Sequence, residues 1–379
     1  ITNGPTPTGL APNKYAIGPA LLWMPFFLVA HLIALIGRAL GFGVVADGYG
    51  YLYQAAISIG SIVYGTLGFW LAYLCARRLF SQIATSTAVV LLWLASNAFY
   101  YMVFEPSMSH MVSLFSVALL LTIWFLRFRD TQTPSVAMAA LLGAAGGLVL
   151  LVRLQDAPFL LVPYGFILVR TIQFWRRGDV WHARHWLVLG LVVGLMTMIA
   201  FLPQILTWDI LYGTWAVSPY LSEHNPAFYW LQPQISGVLV STFHGLFLWH
   251  PIFLCALIGL ALVLRHDRVL AFGLLAVLVL DVYIVAAWWA WWQGDSFGGR
   301  MFLNATWIWV MGLAALIEWL RARRLFYLAL ALGALLICWN GLSLIQYRLG
   351  FVPMSKPLTW EQMTIERIKL PWMLLQTRH

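Results

Sequence analysis

The sequence predicts an all-α fold, a polytopic bundle of transmembrane helices, and three observations lead there. Hydrophobic residues make up 62% of the 379-residue chain and charged residues only 9%, against ~25% charged in a soluble domain. With a mean hydropathy of +0.84, the chain lacks the polar side chains to cover a water-facing surface. Its apolar runs are continuous over helix-spanning lengths of ~20 residues rather than alternating over ~10, which selects helices over a barrel. Finally, arginines fall in every second connection between those runs.

Ten spans follow from the runs: 52–74, 85–104, 111–125, 136–152, 159–174, 186–206, 246–264, 269–287, 301–320 and 326–345. Arg77-Arg78, Arg127 with Arg129, Arg170 to Arg184, Arg265 with Arg268, and Arg321 to Arg324 mark one set of connections. The alternate set holds only Arg153 and Arg300. The positive-inside rule makes the arginine-rich loops cytoplasmic. This charge of +9 punctuates helix ends instead of forming a patch, so it is topogenic and gives no reason to expect nucleic acid. Cys75, Cys255 and Cys338 lie within apolar runs, and neither a disulfide framework nor a metal site is expected.

The remaining elements are read from these sides. Residues 1–42 are expected to form an external loop and a juxtamembrane helix bent at Pro25, and 43–345 the bundle. Residues 346–379 form an external tail. There Thr359-Trp360-Glu361-Gln362 is a capping-box pattern opening an interfacial amphipathic helix. The longest external loop, about 207–244, carries many aromatics together with Asp209, Glu223 and His224. The chain opens on Ile1 after no initiator Met, and an upstream portion is expected before it.

Chemistry is expected at Trp288-Trp289-Ala290-Trp291-Trp292-Gln293-Gly294-Asp295-Ser296-Phe297-Gly298-Gly299-Arg300-Met301-Phe302. Four tryptophans suit the membrane–water interface, and an Asp and an Arg follow at once. Glu105 and His110 flank a tight external turn, where a site role and a helix-end cap are both open. Arg153 and Asp156 share another. Each arginine has two readings, an anion-binding fork or a turn-holding ion pair (Arg153–Asp156, Arg300–Asp295). His244 lies near an external helix start, and Asp281 is an intramembrane carboxylate, a functional or a bonded structural group.

Four stretches carry a resemblance. They are Asn13-Lys14-Tyr15-Ala16-Ile17-Gly18-Pro19-Ala20-Leu21-Leu22-Trp23, Ala76-Arg77-Arg78-Leu79-Phe80, Phe243-His244-Gly245-Leu246-Phe247-Leu248-Trp249-His250-Pro251, and Ser296-Phe297-Gly298-Gly299-Arg300-Met301-Phe302-Leu303-Asn304. In order and topological side they resemble the GT-C class of integral-membrane glycosyltransferases. The nearest branch is the dolichyl-phosphate-mannose–protein mannosyltransferase-like family, family 39. Gly299 and Asn304 stand where that family usually has proline.

The resemblance implies an external juxtamembrane helix over 14–41. It also implies inverting transfer of a sugar from a polyprenyl-phosphate donor to an acceptor on the outer face of the cytoplasmic membrane. The family's catalytic acid follows its first transmembrane helix, upstream of Ile1, so no residue here takes that role. Glu105, His110, Arg153, Asp156, His244, Asp295 and Arg300 are the substrate-binding candidates, with at least one arginine on the carrier phosphate. Membrane lipid and the lipid-linked sugar are the expected partners, and no cofactor or metal is assigned. The alternative is a non-catalytic GT-C-like subunit of a larger membrane assembly; a lipid-linked sugar transporter is less well supported, because no internal repeat is seen.

Overall fold

The computed structural model describes residues 4–217 and 228–376. The first half contains α1 (Gly18–Ala39), α2 (Tyr51–Ala76), α3 (Gln82–Leu94), α4 (Ala98–Val103), α5 (His110–Arg127), α6 (Val136–Val152), α7 (Leu161–Arg176) and α8 (Val180–Tyr212). The second contains α9 (Ile235–Val240), α10 (Leu246–Trp249), α11 (Ile252–Val263), α12 (Arg268–Ala287), α13 (Thr306–Ala322), α14 (Phe326–Arg348), α15 (Trp360–Met363) and α16 (Ile365–Gln376). Short 3-10 segments, Leu154–Leu160 and Arg300–Ala305, lead into α7 and α13. Counting these lead-ins, eight helices of the described residues are long and apolar enough to cross a membrane. The chain is a multi-pass, all-α membrane protein. By length and composition α1 is one of the eight; the interfacial placement expected for 14–41 rests on the resemblance, since the charge of its flank is neutral on the point.

The chain divides into two compact units, Ile1–Leu71 with Glu105–Ala227, and Ala72–Phe104 with Phe228–His379. In the first unit α6 packs along α8 and α7 flanks them. Gly143 and Gly147, one helical turn apart, make the close approach possible. A Cβ on Gly147 would lie 2.6 Å from the Thr197 carbonyl, the small-residue device of membrane helix pairs. Thr197 adds hydrogen bonds, its hydroxyl within 3.0 Å of the Gly143 carbonyl and 2.8 Å of the Val193 carbonyl.

The faces of α8 show why the unit is a membrane object. Ala183, Trp186, Leu189, Val193, Thr197, Phe201, Gln204 and Trp208 repeat at helical period and face inward. Leu187, Leu191, Leu195, Met198, Leu202 and Leu206 are exposed on the other side. An exterior at least as apolar as the interior fits a lipid surround rather than water. α8 also outruns the expected span, which stopped at 206. The Thr207 hydroxyl donates to the Pro203 carbonyl at 2.8 Å, and Gly213 ends the helix in the left-handed region at φ 68°. The start of the expected 207–244 loop is therefore helical. Tyr220, Glu223 and His224 of that loop lie outside the described residues.

In the second unit α11 packs along α13, and α3 lies on α13. Gly259 faces the Gly312 carbonyl so closely that neither glycine has room for a Cβ. Two expected spans are broken. The 85–104 run parts at Ala95-Ser96-Asn97 into α3 and α4. The freed carbonyls of Leu94 and Ser96 are taken up by the Asn340 amide of α14, 2.8 Å from each, as a break at membrane depth requires. The 246–264 run breaks at His250-Pro251, because proline brings no N–H to the ladder.

The tail carries the expected capping box, both halves formed between Thr359 and Gln362. Arg367 differs from expectation. Counted among the polar residues of an interfacial helix, it is 1% exposed, lies over the Trp339 ring at 4.6 Å and donates from Nε to Gln346 Oε1 at 3.3 Å. Ile365, Ile368, Trp372 and Leu375 face outward instead.

Candidate functional site

Each unit holds one of the two expected turns. In the first, α6 ends on Arg153, whose backbone swings to φ −156° and releases its side chain from the helix. Arg153 Nη1 lies 3.1 Å from His110 Nδ1, and Nη2 donates to Gln155 Oε1 at 2.9 Å. A guanidinium only donates, so in this contact Nδ1 of His110 is the acceptor. Beneath them the fully buried Asp156 accepts from the Ser113 hydroxyl at 2.6 Å. Asp156 therefore anchors the turn from below, and the half-buried Arg153 is the member within reach of a ligand.

The first resembling stretch supports this turn. Ile17 N–H donates to Gln204 Oε1 of α8 at 2.9 Å, and Tyr212 Oη donates to the Asn13 carbonyl at 2.8 Å. Gly18 sits on the Leu151–Val152 backbone, where a Cβ would lie 2.6 Å from Val152 N. Only glycine fits directly under the residues that precede Arg153. Glu105 is half-buried, opening the 105–110 turn, and its carbonyl accepts from Met108 N–H at 3.2 Å.

In the second unit the turn between α12 and α13 is folded by backbone that ordinary residues avoid. Gln293 (φ 69°), Gly294 (68°) and Gly298 (67°) are left-handed, as is His244 (64°). Non-glycine residues held there concentrate at functional sites. Gln293 is fully buried and its Oε1 accepts from Met301 N–H at 2.8 Å. Phe297 N–H donates to Tyr101 Oη at 2.9 Å, and the Phe297 ring packs on Trp249, His250 and Tyr347. Gly298 lies so close to His250 Nε2 that a Cβ would overlap it. Asn304 Nδ2 lies 3.4 Å from Asp281 Oδ1, tying the start of α13 to α12.

These contacts leave Arg300 half-buried, its Nη2 3.5 Å from where a Cβ on Gly294 would lie, and Asp295 exposed. His244 is 1% exposed and donates from Nδ1 to the Trp292 carbonyl at 2.7 Å. Burial chiefly, then Arg300 nearby, pushes its pKa down to about 4. It is a neutral positioning group under the Trp cluster. The His250 ring nitrogens lie beside the Asn340 amide and the Phe297 backbone without a well-directed bond to either.

Sequence reasoning missed Gln155, Ser113, Gln293, Tyr101 and Arg367. Tyr101 meets Phe297 across 196 positions, and no local pattern signals that. Gln293 and Gln155 lay inside stretches already singled out, and could have been nominated as the uncharged partners of an adjacent Arg turn. Among the described residues, no three His, Cys, Asp or Glu side chains come together as metal ligands. No family model, curated protein or solved structure matches the chain.

Proposed function

We propose that this chain is a membrane glycosyltransferase that takes a sugar from a polyprenyl-phosphate donor at the arginine-poor face, which is the outer face by its loop charges. The observation that carries this reading is the Arg153 turn. An arginine fork is oriented by His110 and Gln155 at the end of an apolar helix, where a lipid-borne phosphate would arrive. Arg presents paired N–H donors that match two phosphate oxygens. Departure of the phosphate in the transfer step develops negative charge, which such fixed donors stabilise. Arg300 stands in an equivalent turn of the second unit.

The outward apolar faces of the helices supply a surface on which an isoprenoid chain can lie. The base that accepts the proton of the acceptor hydroxyl is assigned to no residue of this chain. A transfer assay tests the proposal. The full-length protein in nanodiscs is given tritium-labelled polyprenyl-phosphate hexoses, and labelled product is separated from donor. Transfer that falls at least about tenfold in Arg153→Ala, the effect of losing one charge-assisted bond, supports the reading. Fixed-stoichiometry co-purification with other membrane subunits, with no transfer, would favour an accessory role instead.

A further inference from the structure

We infer that a pocket at the C-terminal end of α12, walled by Tyr229, Trp288, Trp289 and Trp291 and edged by Gln232 and Gln234, binds one neutral pyranose ring. The cavity measures about 210 Å³, below the ~300–1,000 Å³ of pockets for drug-sized ligands. It has room for one small ring. Its chemistry is aromatic and amide: among the described residues that line it there is no carboxylate, guanidinium, ammonium or imidazole.

That combination matches a sugar and little else. One face of a pyranose is a patch of weakly polarised C–H groups, which suits the electron-rich face of an indole. Its rim carries hydroxyls that both donate and accept. A glutamine amide does both as well, so Gln232 and Gln234 can answer hydroxyls of either polarity. A phosphate or carboxylate would find no cation here. A quaternary ammonium would suit the rings but would leave both amides without a partner.

The walls are formed in advance. Tyr229 N–H donates to the Ala287 carbonyl at 2.6 Å and Gln234 N–H to the Ala286 carbonyl at 2.8 Å, while Phe228 and Trp288 form a β-bridge. The 228–234 segment is thereby fixed against the end of α12. Behind Trp291 sits Gly237, where a Cβ would come within 2.7 Å of the six-membered ring. A girdle of interfacial tryptophans needs no such backing and no amides.

Under the glycosyltransferase reading, on which this role rests, the pocket holds the acceptor and makes that acceptor a saccharide. The binding itself is tested separately. The full chain in nanodiscs, free of sugar-headed detergent, is mixed with methyl gluco-, galacto- and mannopyranosides, and saturation-transfer difference NMR is recorded, with choline chloride as a control. The expected result is a saturable signal from at least one hexoside. It should weaken at least about tenfold in Trp289→Ala and in Gln234→Ala, and also in Gly237→Val, which displaces Trp291 from behind. Thermal melting confirms that each variant is folded. No saturable signal from any hexoside, a signal indifferent to all three substitutions, or choline competing it away would overturn the proposal. If hexosides bind as expected but Arg153→Ala leaves carrier binding unchanged, the donor assignment fails and the pocket stands. The reverse pair of results removes the pocket alone.

Discussion

Arg153 and His110 meet at 3.1 Å, guanidinium Nη1 to imidazole Nδ1, and the arginine's chemistry decides the histidine's. Because Arg only donates, His110 is locked as an acceptor toward it, and protonating Nδ1 would break the contact. Replacing His110 with Asn, which can offer an acceptor, should preserve most carrier affinity. His110→Ala should lower it by about fivefold to tenfold. Arg153→Lys should behave nearly as badly as Arg153→Ala, since an ammonium cannot reproduce the fork. Equilibrium binding of polyprenyl phosphate to the four variants checks this.

Acidification should destabilise the second unit. His244 has its pKa pushed down to about 4, chiefly by burial, against ~6.5 in an unfolded chain. Between those values the unfolded state binds more protons than the folded one, so stability is full above pH ~6.5 and is lost as pH falls toward 4. Melting temperature in nanodiscs should drop across that window, and His244→Asn should flatten the slope. A wild-type melting temperature that is level or rises on acidification contradicts the assignment.

Gly298→Ala should be severe for two reasons that act together, the left-handed φ of 67° and the overlap of the new Cβ with His250. A cost of about 2–4 kcal/mol is expected from strain plus overpacking. The local readout is quenching of the Trp288 to Trp292 cluster, which should change even in variants that remain folded.

Asn340→Leu should weaken the broken α3–α4 span. It strips two carbonyls, those of Leu94 and Ser96, of the side-chain amide they share, at about 1–3 kcal/mol for each polar group left buried without a partner. Asn340→Asp should not rescue, because a carboxylate cannot donate. Hydrogen exchange at 92–98 should rise in both variants.

Much of the fold was legible because lipid imposes one rule on every span. A run such as 186–206 has to be a helix, since nothing else satisfies its backbone. What the runs could not reveal were their interruptions. Asn97 and Pro251 stood in plain view, but only Asn340, more than 240 positions away from Leu94 and Ser96, makes the first break tolerable. The turns at Arg153 and Arg300 were legible as the two arginines on the sparse side of a charge pattern. The depth of Asp156 and His244 was not, because burial of a polar residue depends on partners elsewhere in the chain. The burial of Arg367 was not legible for the same reason, since helical period alone does not reveal that Trp339 and Gln346 receive it.

The most direct measurement of the central claim is equilibrium binding of a polyprenyl-phosphate hexose to the full-length protein in nanodiscs, for wild type, Arg153→Ala and Arg300→Ala. Saturable binding that weakens at least about tenfold in Arg153→Ala, and that inorganic phosphate competes weakly, is the expected result. Binding equal in wild type and Arg153→Ala, or no binding at all, would contradict the claim that Arg153 holds the donor's phosphate.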